Sequence, residues 1–267
     1  MKNILLLIGP MTGEEARLQA ALDVVRAVSA HLTCLDPIEL PALVSVSYET
    51  AGAAAVVLET AQSHEAAHRQ TIEARLAQEG VSWDWIDEMG NASYIIHARD
   101  ALADLIVVNT QFGEFDWSEL PLPVTDVILR SGRPVLAVPS QVRGFDVGGH
   151  AVVAWNGSRP AANALRAAVP LLKLASAVTL VQSGETSGPS VEEAASYLSR
   201  YDIQAEVERA RYAEAQVADF ILTVCQNRKA GLLVAGAYGH SRLIETLLGG
   251  VTKALLAKSP VPLLLAH

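Results

Sequence analysis

Four glycines near the end of the chain, Gly236, Gly239, Gly249 and Gly250, have a spacing that could do chemistry. Gly-x2-Gly is followed nine residues later by a glycine pair, then Val251 and Thr252. Upstream, the apolar run 231–235, ending at Ala235, has the length and flanks of a buried parallel strand. Downstream, 251–258 reads as a helix, with Leu255 and Leu256 apolar and Lys253 and Lys258 polar. The glycines therefore sit between the carboxyl end of a strand and the amino end of a helix. An open α/β sheet binds ligands there, and free main-chain N–H groups there can hold an anion. Without a Cβ, the main chain can approach a phosphate closely. Arg242 adds a permanent charge able to grip two oxygens, whereas His240 and Ser241 read equally well as solvated loop.

The elements that must position this loop recur along the chain. Strands are expected over 3–8, 31–35, 81–86, 104–108 and 134–138, with helices over 13–30, 51–79 and 92–101. After a glycine-rich connector at 141–149, strands follow at 150–154, 177–182, 205–208, 232–235 and 261–265, with helices over 160–172, 190–201, 213–227 and 251–258. The pattern repeats at about 130–140 residues, too long for a solenoid and suited to a duplicated domain. Strands alternating with helices predict an α/β fold of two tandem doubly wound domains, 1–141 and 142–267, each with a mostly parallel sheet flanked by helices.

Composition limits the partners. Half of the 267 residues are hydrophobic and 18% are charged, enough for a sizeable core. The net charge of −9 argues against a general nucleic-acid partner. That charge is uneven: residues 1–141 hold 8 basic and 19 acidic groups, and 142–267 hold 12 and 10, so only the second half suits a phosphate-rich ligand. Cys34 and Cys225 have no metal or redox spacing and read as reduced core residues. No apolar run approaches the ~20 residues of a membrane span, and the default expectation is a soluble cytoplasmic protein.

The glycine spacing, with the ending Lys-Ser-Pro-Val-Pro-Leu-Leu-Leu of 258–265, resembles the nucleotide loop, last helix and last strand of the universal stress protein family. The resemblance extends over nearly the whole chain and is strongest in 150–182 and 231–265. It implies a five-stranded sheet in each half, in order 3-2-1-4-5, with the halves packed as a pseudo-dimer like the two subunits of the family's dimer. Two chains could associate further as a homodimer. It also implies an adenine nucleotide (ATP, ADP or AMP, with or without Mg²⁺) in the second half. The residues it places there are Ala154, Asn156, Ala235, Gly236, Gly239, Arg242, Gly249, Gly250, Val251 and Thr252.

The family usually carries Asp at the position of Asn156, and Ser or Thr at that of Gly250. Asn can both accept and donate, as adenine's edge requires. Asn156-Gly157 also reads as a plain tight turn, and Thr252 as a helix-cap hydroxyl. The corresponding first-half loop lacks the glycine pair. It carries Glu114, Asp116 and Glu119, and prolines up to Pro123 interrupt the place of the helix start, so this half reads as non-binding. His64 and His68, four apart on a helix, have metal-ligand spacing but read as a solvated face. The tryptophans read as packing residues, with Trp155 beside the base pocket.

Three functions follow: a nucleotide-binding stress-response regulator or sensor, an interaction module of the same fold without nucleotide, or a slow ATPase. The absence of a P-loop lysine motif and of a Gly-x-Ser-x-Gly elbow argues against the enzyme.

Overall fold

The computed structural model describes residues 1–9, 12–38, 51–90, 92–110, 123–237 and 250–267. The first half contains β1 (Asn3–Leu7), α1 (Glu14–Val28), β2 (His31–Ile38), α2 (Ala51–Leu76), β3 (Ser82–Met89), α3 (Ala92–Arg99), β4 (Leu105–Asn109), α4 (Pro123–Arg130) and β5 (Val135–Val138). The second contains β6 (His150–Trp155), α5 (Arg159–Leu172), β7 (Ala177–Ser183), α6 (Val191–Ser199), β8 (Ala205–Ala210), α7 (Glu214–Asn227), β9 (Ala230–Gly236), α8 (Gly250–Lys258) and β10 (Leu263–Ala266).

All ten strands belong to one sheet, ordered β3-β2-β1-β4-β5-β10-β9-β6-β7-β8. Within each half the order is the expected 3-2-1-4-5, and every neighbouring pair is parallel. The expectation of two separate sheets is corrected: β5 and β10 join antiparallel, with Leu136 opposite Leu264. Both strands are short, wholly apolar and buried. Pairing them satisfies two rows of main-chain groups that would otherwise be bare edges.

Helices cover both faces, so the central strands are continuous apolar runs, as buried parallel strands are. Leu18, Leu22 and Val25 of α1, Ile72 and Leu76 of α2, Ala164 and Leu165 of α5, and Leu198 of α6 pack on one face. Ile95 and Ile96 of α3, Val124, Val127 and Ile128 of α4, Ile221 of α7, and Leu255 and Leu256 of α8 pack on the other. Cys34 and Cys225 are buried free thiols, and burial pushes both up to about 12, in keeping with core packing. The connector is anchored: Phe145 is buried and its N–H donates to Asp23 of α1 at 2.8 Å.

The reading of Pro123 as an interruption is also corrected, because Pro123 is the first residue of α4. At that position its missing N–H has no intrahelical partner to lose, and its fixed φ already suits a helix. Val124, Val127 and Ile128 then recur at helical spacing and are buried.

Asp104, at the entrance to β4, accepts from the main-chain N–H groups of Lys2 at 2.6 Å and Asn3 at 3.0 Å. Those two donors hold its carboxyl below the usual carboxylate range. A depressed native value means that the stabilisation is complete above the unfolded pKa of ~4 and is lost as pH falls through the native one. Asp104→Asn should therefore melt below wild type at pH 7, and a pH series of thermal melts should show the gap closing as pH falls below about 4.

Candidate functional site

In the second half, β6 lies between β7 on one side and β9 on the other. The chain leaves β6 through α5 to reach β7, and later crosses back beyond β6 to β9. This reversal makes the carboxyl ends of β6 and β9 the topological switch point, where open α/β sheets hold ligands. Ala154 and Ala235 face each other across these strands, paired in register. Ala235 is buried and Ala154 half-buried.

The turn after β6 is tightly determined. Gly157 has φ +75, and a Cβ there would meet Gly188 N, Pro189 O and Thr186 Cβ at 2.9 Å. Ser158 caps α5 by accepting from the Ala161 N–H at 3.3 Å. The Asn156 side-chain oxygen accepts from the Ser158 N–H at 3.1 Å, and its main-chain oxygen accepts from the Ser187 N–H at 2.9 Å. The Asn-Gly turn is therefore real, and the Asn156 side chain keeps its NH₂ donors and the second lone pair of its oxygen. Trp155 is a packing residue: it is buried, and its indole N–H donates to Pro189 O at 3.0 Å.

Gly236 owes its identity to packing. A Cβ built on it would lie 2.3 Å from Ala161 N and 2.6 Å from the Pro160 carbonyl carbon. The first turn of α5 rests directly on the end of β9, and a side chain would separate them. Gly236 still pairs with Ala266, and the Ala237 N–H donates to Ala266 O at 2.8 Å. The Ala237 carbonyl faces His267 Nδ1 at 3.0 Å. The sequence assigned phosphate-facing N–H groups to this strand end, but the Ala237 N–H belongs to the sheet. Donors for an anion have to come from further along the loop and from α8.

Gly250 opens α8 and is exposed, and a Cβ on it would meet nothing within 4 Å among the described residues. Val251 packs against the buried cluster that also holds Ala235 and Ala237. Thr252 is buried and is not without a partner. The first N–H groups of a helix have no intrahelical acceptor. Gly239, His240, Ser241, Arg242 and Gly249 lie outside the described residues. Ser183, at the carboxyl end of β7, has a buried hydroxyl without a hydrogen-bond partner among the described residues. An open cleft of about 590 Å³ between the ends of β7 and β8 is lined by Gln182, Thr186, Arg209 and Arg211, among others, and Arg209 is ion-paired to Glu192.

The matching crevice of the first half is filled. Arg17 of α1 is fully buried, and donates from Nε to Leu7 O at 2.5 Å and from Nη2 to Gly9 O at 2.7 Å. Its Nη1 reaches the Asn109 side-chain oxygen at the end of β4. Asn109 in turn donates to Gly13 O at 2.9 Å and Val138 O at 3.2 Å. Burial draws the Arg17 guanidinium down to about 10, opposed by Glu14 and Asp36, so it stays charged at neutral pH. Glu14 accepts from the Gly9 N–H at 2.9 Å and meets His68 Nε2 at 2.9 Å. Of the two histidines read as a solvated face, His64 is exposed, whereas His68 is half-buried against Glu14. Among the described residues no group of three or more His, Cys, Asp or Glu could hold a metal. Glu114, Asp116 and Glu119 lie outside the described residues.

The sequence reading missed Arg17, Asn109 and Ser183. A signal existed for Arg17, which lies one helical turn before Ala21 on the face that buries Leu18, Ala21 and Leu22. For Ser183, nothing in the sequence marks its hydroxyl as unpartnered.

Residues 149–267 match the model of the universal stress protein family. The match lies in the second half of the chain. The whole chain shares the fold of a universal stress protein from Archaeoglobus fulgidus DSM 4304, with a TM-score of 0.76 and 16% identity over 99% of this chain and 98% of that one. It is also similar to a functionally unknown protein from Pseudomonas aeruginosa PAO1, with a TM-score of 0.65 and 17% identity over 100% and 92%. The cytoplasmic domain of a prokaryotic cation chloride cotransporter follows at 0.54 and 11%, over 99% and 95%. At these identities the likeness is one of fold. No curated protein matches. No helix among the described residues is long and apolar enough to cross a membrane.

Proposed function

We propose that the chain is a cytoplasmic stress-response sensor whose second domain, residues 142–267, binds an adenine nucleotide, ATP, ADP or AMP. Domain 1–141 serves as a non-binding partner fold. The observation that carries this reading is the exposed first turn of α8 at Gly250, within the residues that match the universal stress protein family. The N–H groups of Gly250, Val251 and Thr252, with Gly239, Gly249 and Arg242 from the preceding loop, would hold the phosphates. Ala154, Ala235 and Gly236 would shape the floor of the crevice, and Asn156 would meet the base end. Occupancy would change the loop and, through it, what the surface offers to protein partners.

Gly250→Asp tests this directly. The open space at Gly250 accommodates the side chain, and a carboxylate in the first turn of a helix is stabilising by ~0.3–1 kcal/mol. The same charge repels a phosphate. Calorimetric titration should show nucleotide affinity falling by tenfold or more while the melting temperature holds or rises. Equal affinity in variant and wild type would remove the phosphates from α8.

A further inference from the structure

We propose that His267 is a positioning residue for the candidate phosphate loop, residues 238–249, because its imidazole fixes the point at which that loop leaves β9. What the loop holds rests on the nucleotide reading above; how it is held does not.

β9 and β10 are parallel neighbours, with Ala235 opposite Leu265 and Gly236 opposite Ala266. The Ala237 N–H donates to Ala266 O at 2.8 Å. One step on, the Ala237 carbonyl lies 3.0 Å from His267 Nδ1. A carbonyl only accepts, so Nδ1 carries the proton. A side chain thus adds one more bond to the ladder, and both main-chain polar groups of Ala237 are used. Ala237 is fully buried, and a buried carbonyl deprived of its donor is costly.

His267 is itself held. Asn163 of α5 donates from Nδ2 to the His267 main-chain oxygen at 2.9 Å, and its side-chain oxygen accepts from Arg166 Nη2 at 2.6 Å. A guanidinium only donates, so Arg166 fixes which way the Asn163 amide points and turns its NH₂ to His267. β10 is fixed on its other side by β5 of the first half. A chain of hydrogen bonds therefore runs from Arg166 through Asn163 and His267 to Ala237. Gly239, a proposed phosphate contact, is next but one to Ala237 in the chain, so a change in where Ala237 points is passed on to it.

The test compares wild type with His267→Ala and with His267→Asn, whose amide N–H can stand where Nδ1–H does. Full-length protein without ligand is exposed to trypsin, and early cuts are mapped by mass at Arg242 in the loop and at Arg143 in the connector. Cleavage by local opening follows the population of the open form. His267→Ala should speed the Arg242 cut by roughly three- to tenfold, the scale of one hydrogen bond, with the Arg143 cut unchanged. His267→Asn should restore the wild-type rate. ATP should bind His267→Ala more weakly by a similar factor, and His267→Asn as it binds wild type. An unchanged Arg242 cut in His267→Ala overturns the proposal. So does an equal rise at both arginines, which marks a general loss of stability. Equal ATP affinity in all three proteins overturns the part of His267 in ligand binding. If wild type binds no ATP, the nucleotide reading fails and the cleavage rates alone decide whether His267 holds the loop.

Discussion

Replacing Arg17 with leucine is expected to destabilise the protein by about 3–5 kcal/mol, the scale of removing one partner from a buried ionic network. Three acceptors lose their donor at once: Leu7 O, Gly9 O and the Asn109 side chain. Each buried acceptor left bare costs ~1–3 kcal/mol. Burying a leucine recovers part of this, but leucine cannot reach the ends of β1 and β4 together. Arg17→Lys should also fall short, because an ammonium cannot span three acceptors in the geometry of a planar fork. Urea unfolding measures both. A loss below about 1 kcal/mol for Arg17→Leu would mean that the network contributes little beyond filling space. The nucleotide affinity of the second half should not change, since the two sites share no partner.

The second large effect is at Gly236. Gly236→Val places a branched side chain where the first turn of α5 rests on β9, with its Cβ 2.3 Å from a main-chain nitrogen. Main chain cannot rotate away as a side chain can, so α5 must shift or β9 must fray. Overpacking a filled site typically costs ~1–3 kcal/mol, and a main-chain clash belongs at the upper end. Thermal and urea unfolding without any ligand should show the loss. If Gly236→Val were as stable as wild type and lost only nucleotide binding, the glycine would belong to the ligand rather than to the packing of α5. The contrast with Gly250→Asp separates two kinds of glycine that look alike in sequence.

Much of the fold was legible because its signals are local. Apolar runs such as 105–108 and the period-3.6 pattern of α1 mark elements whose burial requires them, and the repeat of those elements predicts the halves. The joining of the halves was not legible. Nothing in Val135–Val138 or Leu263–Ala266 distinguishes an edge strand from one that pairs with the other half. The start of α4 was misread because proline blocks a helix interior but suits its first turn, and composition alone does not say which position Pro123 holds.

The candidate site was legible in its residue types and less so in their work. Gly236 reads as a phosphate contact and serves a helix–strand contact. Asn156 reads as a two-way hydrogen-bonding group, and its oxygen also closes the turn by accepting from Ser158. The first half reads as non-binding from acidic residues and prolines in a loop outside the described residues; among the described residues Arg17 and Asn109 hold the ends of β1 and β4 together. Long-range side-chain contacts of this kind, here spanning 92 residues, leave no trace in local periodicity.

A crystal structure of the protein grown with an adenine nucleotide tests the central claim most directly. Phosphate density against the N–H groups of Gly250, Val251 and Thr252, with the base over Asn156 and the Arg17 network intact, is the predicted result. A nucleotide lodged beside Arg17 and Asn109, or an empty second-half crevice at saturating ligand, would contradict it.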